Sequence, residues 1–383
     1  ILIMRVFVIP SVFPNKYAKS AGIFVYQQCL ALQNAGYEII VLDASSFSYH
    51  NWLNASCNHI QERTEENGIA VMELHFRGLM LSRLPRTAAH AYQKKLNKLF
   101  RAALQKYGKP DLLYAHFSFT SGYSAVQLAK EYDIPCVVQE HATLLFSTVK
   151  KPVLDMLAYT LDNADRFLCV SPALRKAIED KHSKHKHEIG ILHNMIDGIY
   201  QYSPPVEKQE FVFFAAANLI KRKCFDTLIT AFIAAFEGNP KVSLRIAGSG
   251  PEEDDLKKLA APAKDNILFL GALNKEQLLQ EYMYCDCFAL ASHTETFGIV
   301  YREALAVGRP VVCTRNSGIE YLWNNDYGYL TEQSVSALSA ALKKMKENIQ
   351  HFNAQQISQD VLHDFGEQAF LSSFRKITSE VVV

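Results

Sequence analysis

The sequence predicts an α/β protein made of two doubly wound parallel-sheet domains. Three observations carry this expectation. Short apolar runs of strand length alternate with amphipathic stretches of helix length through most of the chain, and alternation of that kind joins parallel strands by helical crossovers. The pattern is interrupted at 198–209, where Pro204-Pro205 sits among polar residues, and it then restarts. A chain of 383 residues is long for one core. The expected division is a first domain at 1–198, a linker at 199–209, a second domain at 210–354 and a helical tail at 355–383 packing back on the first domain.

Composition narrows the class. Hydrophobic residues make up 49% and the net charge is +1, which fits a globular protein and excludes nucleic-acid binding through a broad basic surface. No apolar run reaches transmembrane length, and the start, Ile1 to Pro10, is too short and too quickly polar for a signal peptide. Of eight Cys, four (Cys136, Cys169, Cys287 and Cys313) lie in or beside apolar strand-like runs, and no CxxC occurs. Reduced, buried thiols in a cytoplasmic protein are expected. Cys285 and Cys287 share a strand face but have no partner pair, so no metal site is expected there.

In the first half, Arg5–Ile9 is a buried strand, residues 22–35 a helix, and Glu38–Leu42 the next strand: a βαβ opening. The loop from Pro10 to Gly22 lies where a strand's carboxyl end meets a helix start, the ligand end of open α/β sheets. It is not GxGxxG. Residues 43–70 read as polar and irregular, and Val71–Phe76 alternates as a half-buried strand. Residues 88–107 form a basic amphipathic helix with Lys94, Lys95, Lys98, Arg101 and Lys106. A solvated face and contact with an anionic membrane surface or lipid-linked acceptor both fit it.

Asp111–Ala115 is a strand ending at His116, 122–132 a helix, and Ile134–Val138 a strand ending in Gln139-Glu140-His141. His116 fits a structural role. His141, opening the segment Ala142-Thr143-Leu144, is better placed to reach a ligand. Arg166–Val170 is a strand, and Ser171-Pro172 reads as a helix N-cap with Pro at the first position. The run Lys181–His187 has three His without acidic or Cys partners and reads as a solvated loop. Ile189–Leu192 closes this half.

In the second half, strands are expected at Phe211–Ala216, Val242–Ala247, Ile267–Leu270, Cys287–Leu290 and Pro310–Cys313. Helices are expected near 225–236, 252–261, 274–283, 300–307 and 333–347. The chemistry gathers in the turns after these strands. Asn218 to Lys223 carries three consecutive cations, Lys221, Arg222 and Lys223, between a strand end and a helix start, where diphosphate charge is well held. Gly248-Ser249-Gly250-Pro251 permits a tight turn beside a ligand such as a nucleobase. Glu295 and Glu303 lie eight positions apart with Phe297-Gly298 between them. In one straight helix that spacing is about 12 Å. Gly298 instead predicts a turn before the helix, with free N–H groups at Ile299 and Val300 for an anion. The residues describe a ligand with hydroxyls at two ends and a phosphate between. Gly318 and Glu320 follow on the same edge.

These residues resemble the retaining GT-B glycosyltransferases of the family 4 type. The similarity covers most of the chain and is most specific at Glu295–Glu303, which looks like the family's Glu-x7-Glu motif, continuing through Gly308-Arg309-Pro310. Asn218 to Lys223 is similar to the diphosphate turn and Gly248–Glu252 to the Gly-x-Gly-Pro-Glu turn. Gln139-Glu140-His141 is similar to the acceptor-domain Glu-His motif, and Asn194–Asp197 to the segment before the linker. Asn218 stands where many members carry Arg, and Cys224 where Gly is usual. The resemblance implies a GT-B fold, two Rossmann-like domains facing a cleft. It implies retaining, metal-independent transfer of a sugar from a nucleoside-diphosphate sugar, UDP- or GDP-linked, to an acceptor hydroxyl. It implies that Lys223, Arg222, Asn218 and backbone near Gly22, Gly298, Ile299 and Val300 bind the donor with Gly248, Gly250 and Phe297. Glu303 would take the ribose, Glu295 the sugar, and His141 would lie near the reacting sugar. No cofactor beyond the donor is implied. A carbohydrate or lipid-linked glycan acceptor follows on family grounds, in surface polysaccharide or glycolipid synthesis at the cytoplasmic side of a membrane. Two alternatives stay open: a GT-B nucleotide-sugar epimerase or hydrolase, and a non-catalytic two-domain binding protein.

Overall fold

The structure is a computed structural model that describes residues 3–16, 21–44, 46, 47, 59–65, 67–77, 85–142, 147, 149–183, 185, 188–321 and 323–382. Two compact units emerge: Ile1–Met195 with Phe370–Val383, and Ile196–Ala369.

The first unit holds strands β1 (Arg5–Ile9), β2 (Glu38–Asp43), β3 (Ser46–Phe47), β4 (Gln61–Thr64), β5 (Ala70–Glu73), β6 (Phe76–Arg77), β7 (Leu112–His116), β8 (Cys136–Glu140), β9 (Arg166–Cys169) and β10 (Ile189–Ile191). Eight of them form one sheet in the order β10-β9-β8-β7-β1-β2-β5-β4, while β3 pairs β6. All pairs in the large sheet are parallel except β4 with β5. Near-continuous burial along β1, β7 and β8 fits strands covered on both faces. The helices are α1 (Ile23–Asn34), α2 (Pro85–Tyr107), α3 (Tyr123–Tyr132), α4 (Lys151–Asn163) and α5 (Pro172–Lys181). Ser171 caps α5 by accepting from the Leu174 amide, with Pro172 at the first position, as the sequence predicts.

Several elements here differ from expectation, including β3, which lies in the stretch 43–70 read as irregular. Strand β4 falls in a stretch read as irregular. Its residues, Gln-Glu-Arg-Thr, are largely exposed at the sheet edge and give no apolar alternation. Helix α4 was not anticipated, although Pro152 in its first turn and buried Met156, Leu157 and Leu161 at helical spacing carry the signal.

The second unit holds β11 (Phe211–Ala216), β12 (Val242–Ala247), β13 (Ile267–Gly271), β14 (Cys287–Leu290), β15 (Val311–Thr314) and β16 (Gly328–Thr331), all parallel in the order β13-β12-β11-β14-β15-β16. Its helices are α6 (Phe225–Phe236), α7 (Glu253–Ala260), α8 (Lys275–Tyr284), α9 (Ile299–Ala306), α10 (Ser317–Glu320), α11 (Val335–Asn348) and α12 (Ala354–Phe365). Strand β16, not expected from the sequence, is a four-residue edge strand with an interior less buried than its neighbours.

The domain limits also move. The first unit ends at Met195, and the stretch expected as a free linker belongs to the second unit. Buried Arg309 explains this: its guanidinium donates to the carbonyls of Ser203 (2.8 Å), Pro204 (3.3 Å) and Met283 (2.8 Å). The tail divides rather than returning whole. In α12, Ile357, Val361 and Phe365 are buried in the second unit, with Phe365 edge-on to Phe297 at 5.5 Å. Helix α13 (Glu367–Ser379) sends Phe370, Leu371 and Phe374 into the core of the first unit, where Phe374 packs on Tyr114 at 5.1 Å and Tyr37 at 5.7 Å. Among the described residues no helix is long and apolar enough to cross a membrane.

Candidate active site

The second unit has its topological switch at β11, whose neighbours are β12 on one side and β14 on the other. Open α/β sheets bind ligands at such points, beyond the carboxyl ends of the strands. The turns after β11, β12 and β14 meet there.

After β11, Asn218 is exposed, and a tight turn at Lys221–Lys223 leads into Cys224 and α6. Cys224 takes φ 50°, the left-handed conformation that Gly adopts without cost, so the turn closes despite the Cys. Lys223 Nζ pairs with Glu295 Oε1 at 2.5 Å, and both side chains are nearly buried. Arg222 Nη1 donates to the Thr294 carbonyl at 2.5 Å and lies 3.7 Å from Glu295 Oε2. The His293 amide donates to the Arg222 carbonyl at 2.9 Å. The cations expected to take phosphate and the carboxylate expected to take sugar hydroxyls therefore form one cluster.

Gly248 and Gly250 form a tight turn, as the sequence predicts, and its close packing is against the basic turn. A Cβ on Gly248 would lie 1.9 Å from the Ala217 carbonyl oxygen, and one on Gly250 would lie 2.3 Å from that of Leu219. The Leu219 amide donates to the Ser249 carbonyl at 3.0 Å. These glycines admit the basic turn's own backbone, and so fix its position against β12.

After β14, Phe297 is buried and Gly298 takes φ 74° as the N-cap of α9. Ile299 and Val300 open the helix half-buried. Their N–H groups, like those of any first turn, lack partners within the helix. Glu303 sits on the same helix, where Tyr282 of α8 donates to its Oε2 at 2.9 Å. Burial pushes the Glu303 carboxyl up to about 7; Tyr282 pulls it down, Asp197 adds to the rise and Lys275 opposes it. Lys275 pairs with Asp197. Tyr282 and the Asp197–Lys275 pair were not singled out from the sequence. No motif marks Tyr282, which is recognised only from the packing of α8 against α9's carboxylate. Gly318 lies against the backbone of Glu295, and Glu320 pairs with Arg315 at the surface.

In the first unit, His116 ends β7 and His141 follows β8, and the neighbouring strands bring them together: His116 Nδ1 lies 3.1 Å from His141 Nε2. Burial holds both rings neutral. His141 falls to about 3, with Asn194 pulling the other way, and His116 falls well below the usual range, lowered further by His141. Rings of Phe24 and Phe117 flank His141 at 4.7 and 5.3 Å. Glu140 is structural. Its fully buried carboxylate accepts from the amides of Ser118 (2.8 Å), His141 (2.7 Å) and Ala142 (2.7 Å), and from the Ser118 hydroxyl. It thereby fixes the start of two loops at once. Phe117 and Thr120 between β7 and α3 take φ 73° and 62°, strain of the kind that collects at functional loops. Gly22 takes φ 67° with the Val12 carbonyl 2.3 Å from where a Cβ would stand, so local packing accounts for the glycine. Residues 17–20, Thr143 and Leu144 lie outside the described residues, as do Lys184, Lys186 and His187 of the His-containing run.

Among the described residues, one group has metal-ligand composition: Asp43, Glu73 and His75 in the first unit. His75 Nε2 is 3.0 Å from Glu73 Oε2, and Arg63 Nε is 3.3 Å from Glu73 Oε1. These contacts make it an ion-paired cluster.

Two parallel-sheet α/β domains with polar turns gathered beyond the strands' carboxyl ends define the GT-B class. Comparison with known proteins agrees in both halves. Residues 21–198 match the model for Glycosyltransferase Family 4, and residues 200–359 match the model for Glycosyl transferases group 1. The chain belongs to these glycosyltransferases. Glycogen synthase of Mycobacterium tuberculosis is 24% identical over 363 residues, covering 90% of this chain and 86% of that protein. Sucrose-phosphate synthase from Thermosynechococcus elongatus has the same fold, with a TM-score of 0.77 at 17% identity over 99% of both chains. So has HepE of Anabaena, solved with UDP, with a TM-score of 0.75 at 18% identity over 99% of this chain and 100% of that one.

Proposed function

We propose that this glycosyltransferase is retaining and metal-independent. It moves a sugar from a UDP- or GDP-sugar to a hydroxyl of a carbohydrate or lipid-linked glycan. The observation that carries the reading is the cluster of Arg222, Lys223 and Glu295 beside the open start of α9. A departing nucleoside diphosphate needs its charge neutralised where it develops. Lys223, Arg222 and the N–H groups of Ile299 and Val300 supply that without a metal. Glu303, held by Tyr282, accepts from the ribose hydroxyls, and Glu295 accepts from the sugar. Neutral His141 can donate or accept one hydrogen bond to a sugar hydroxyl and carries no charge of its own. The bond from the anomeric carbon to the diphosphate breaks, the bond to the acceptor oxygen forms on the same face, and the acceptor's proton goes to the leaving phosphate oxygen. Pairing with Lys223 makes Glu295 a poor covalent nucleophile, which supports this route.

The bound UDP of HepE supports a uridine donor. Glycolipid-synthesising relatives, such as alpha-monoglucosyldiacylglycerol synthase of Streptococcus pneumoniae (24% identical over 69% of this chain and 67% of that protein), support an acceptor in surface polysaccharide or glycolipid synthesis. The enzyme would work in the cytoplasm, and exposed Lys94, Lys98 and Arg101 of α2 would suit the anionic face of a membrane.

A thermal-shift panel of UDP-, GDP- and ADP-sugars, followed by acceptor screening with the best donor, tests the reading. One donor should stabilise the protein and transfer its sugar with the anomeric configuration kept. Turnover of the donor that acceptors never accelerate would favour the epimerase or hydrolase. Stabilisation without any turnover would favour a binding protein.

A further inference from the structure

Arg302 breaks three ordinary rules at once. It is 3% exposed, yet among the described residues it makes no ion pair, and its Nε has no hydrogen-bond partner. A buried cation without a carboxylate is costly. It also sits in the first turn and a half of α9, where the helix dipole repels a positive charge. Its side chain folds back toward the helix start, and Nη1 donates to the carbonyls of Phe297 and Gly298, the latter at 3.2 Å. The guanidinium lies over the rings of Phe297 at 4.1 Å and Phe365 at 4.9 Å. Burial lowers its pKa to about 10, which still leaves it charged at neutral pH; Glu295 acts on it only at longer range. Two ring faces and two carbonyls compensate the charge in part.

Departures of this kind concentrate where a structure serves a ligand. The carbonyls that Arg302 grips belong to the peptide turn that presents the amides of Ile299 and Val300. Fixing the first fixes the direction of the second. An anion held at those amides would supply the missing compensation. The geometry points to Arg302 as a positioning residue, one that locks the 297–298 turn and biases the start of α9 toward a diphosphate over its neutral nucleoside. It touches no ligand itself. Phe365 of α12 holds it from behind, which ties that helix to the donor turn. This inference rests on the donor reading above.

The test compares the best-binding nucleoside diphosphate among UDP, GDP and ADP with its parent nucleoside, by calorimetry, on wild type and on Arg302→Met, Arg302→Gln and Arg302→Lys. Removing the charge in Arg302→Met or Arg302→Gln should weaken the diphosphate at least tenfold and the nucleoside less than twofold. Arg302→Lys should recover most of the diphosphate affinity. Should Arg302→Met fail to fold, the Gln and Lys pair makes the same comparison, since Gln is neutral and too short to keep the grip on both carbonyls, whereas Lys keeps the charge. Equal losses for both ligands would make Arg302 merely structural and overturn the inference. So would unchanged diphosphate affinity in Arg302→Gln. If wild type binds none of the three diphosphates, the donor reading itself fails, a result separate from either of these.

Discussion

If Glu303 takes the ribose as proposed, donor binding should depend on pH near neutrality. Its carboxyl is pushed up to about 7 from an ordinary value of 4.5, so the free protein holds that proton over much of the range in which it would be assayed. Ribose hydroxyls donate to the charged form, and binding to a protonated Glu303 must first release the proton. With a free-protein value near 7 and a much lower value in the complex, affinity falls about tenfold between pH 8 and pH 6, or roughly 1.4 kcal/mol. The ligand must not titrate in the same window. A terminal phosphate does so near pH 6, which disqualifies the nucleoside diphosphate, whereas a nucleotide sugar or the bare nucleoside serves. Calorimetry in two buffers of different ionisation enthalpy should find about half a proton released per ligand at pH 7 and about nine-tenths at pH 6. Glu303→Gln should bind more weakly at pH 8 and show no pH dependence. The sign for the unliganded fold runs the other way. A carboxyl raised by burial favours the folded state when protonated, so stability declines as pH rises from about 4.5 to about 7, by an amount on the order of 3 kcal/mol. A flat pH profile in wild type, or the same slope in Glu303→Gln, would refute the ribose assignment and the burial argument together.

Three further outcomes follow from the same geometry. Lys223→Ala should lower transfer turnover by about 10²- to 10³-fold while circular dichroism stays native; near wild-type turnover would remove Lys223 from the phosphate site. Gly248→Ala forces a Cβ into the Ala217 carbonyl at φ 137°, so chemical denaturation should show a loss on the order of 3 kcal/mol or more and a wild-type stability would contradict the close approach. Because Lys223, Arg222 and the α9 amides are assigned the diphosphate charge, EDTA should leave donor affinity unchanged; a loss restored by Mg²⁺ would contradict metal independence.

Much of the second unit was legible because its chemistry is local in sequence. The basic turn, the Gly-Ser-Gly turn and the Glu295–Glu303 stretch each follow a buried strand, and a strand's carboxyl end is where an open sheet binds. What the sequence did not carry is pairing across those turns. Nothing along the chain couples Lys223 to Glu295, 72 positions away, or Tyr282 to Glu303. The edge strands β4 and β16 were missed for a different reason: Gln-Glu-Arg-Thr and Gly-Tyr-Leu-Thr carry no apolar run, whereas the edge strand β13 does. The tail misled because α12 and α13 are both amphipathic and nearly contiguous. Periodicity shows that each needs a cover, and says nothing about which core supplies it.

The glycines show what a tight turn does for its neighbours. Gly248 and Gly250 read as a tight turn beside a ligand, and in the structure the backbone of Ala217 and Leu219 packs where their side chains would stand. The motif is still tied to the site, because it lets the basic turn sit down on β12, and the turn's cations reach Glu295 from there. Cys224 argues the converse. A residue that departs from the usual Gly still reaches φ 50°, at a cost on the order of 1 kcal/mol, because its carbonyl and amide are already committed to the turn and to α6. In both cases the physical constraint lies on the path of the backbone. The proposed donor site is then a property of three turns packed on one another, and single side chains such as Asn218 can depart from the usual pattern while the path they hang on stays fixed.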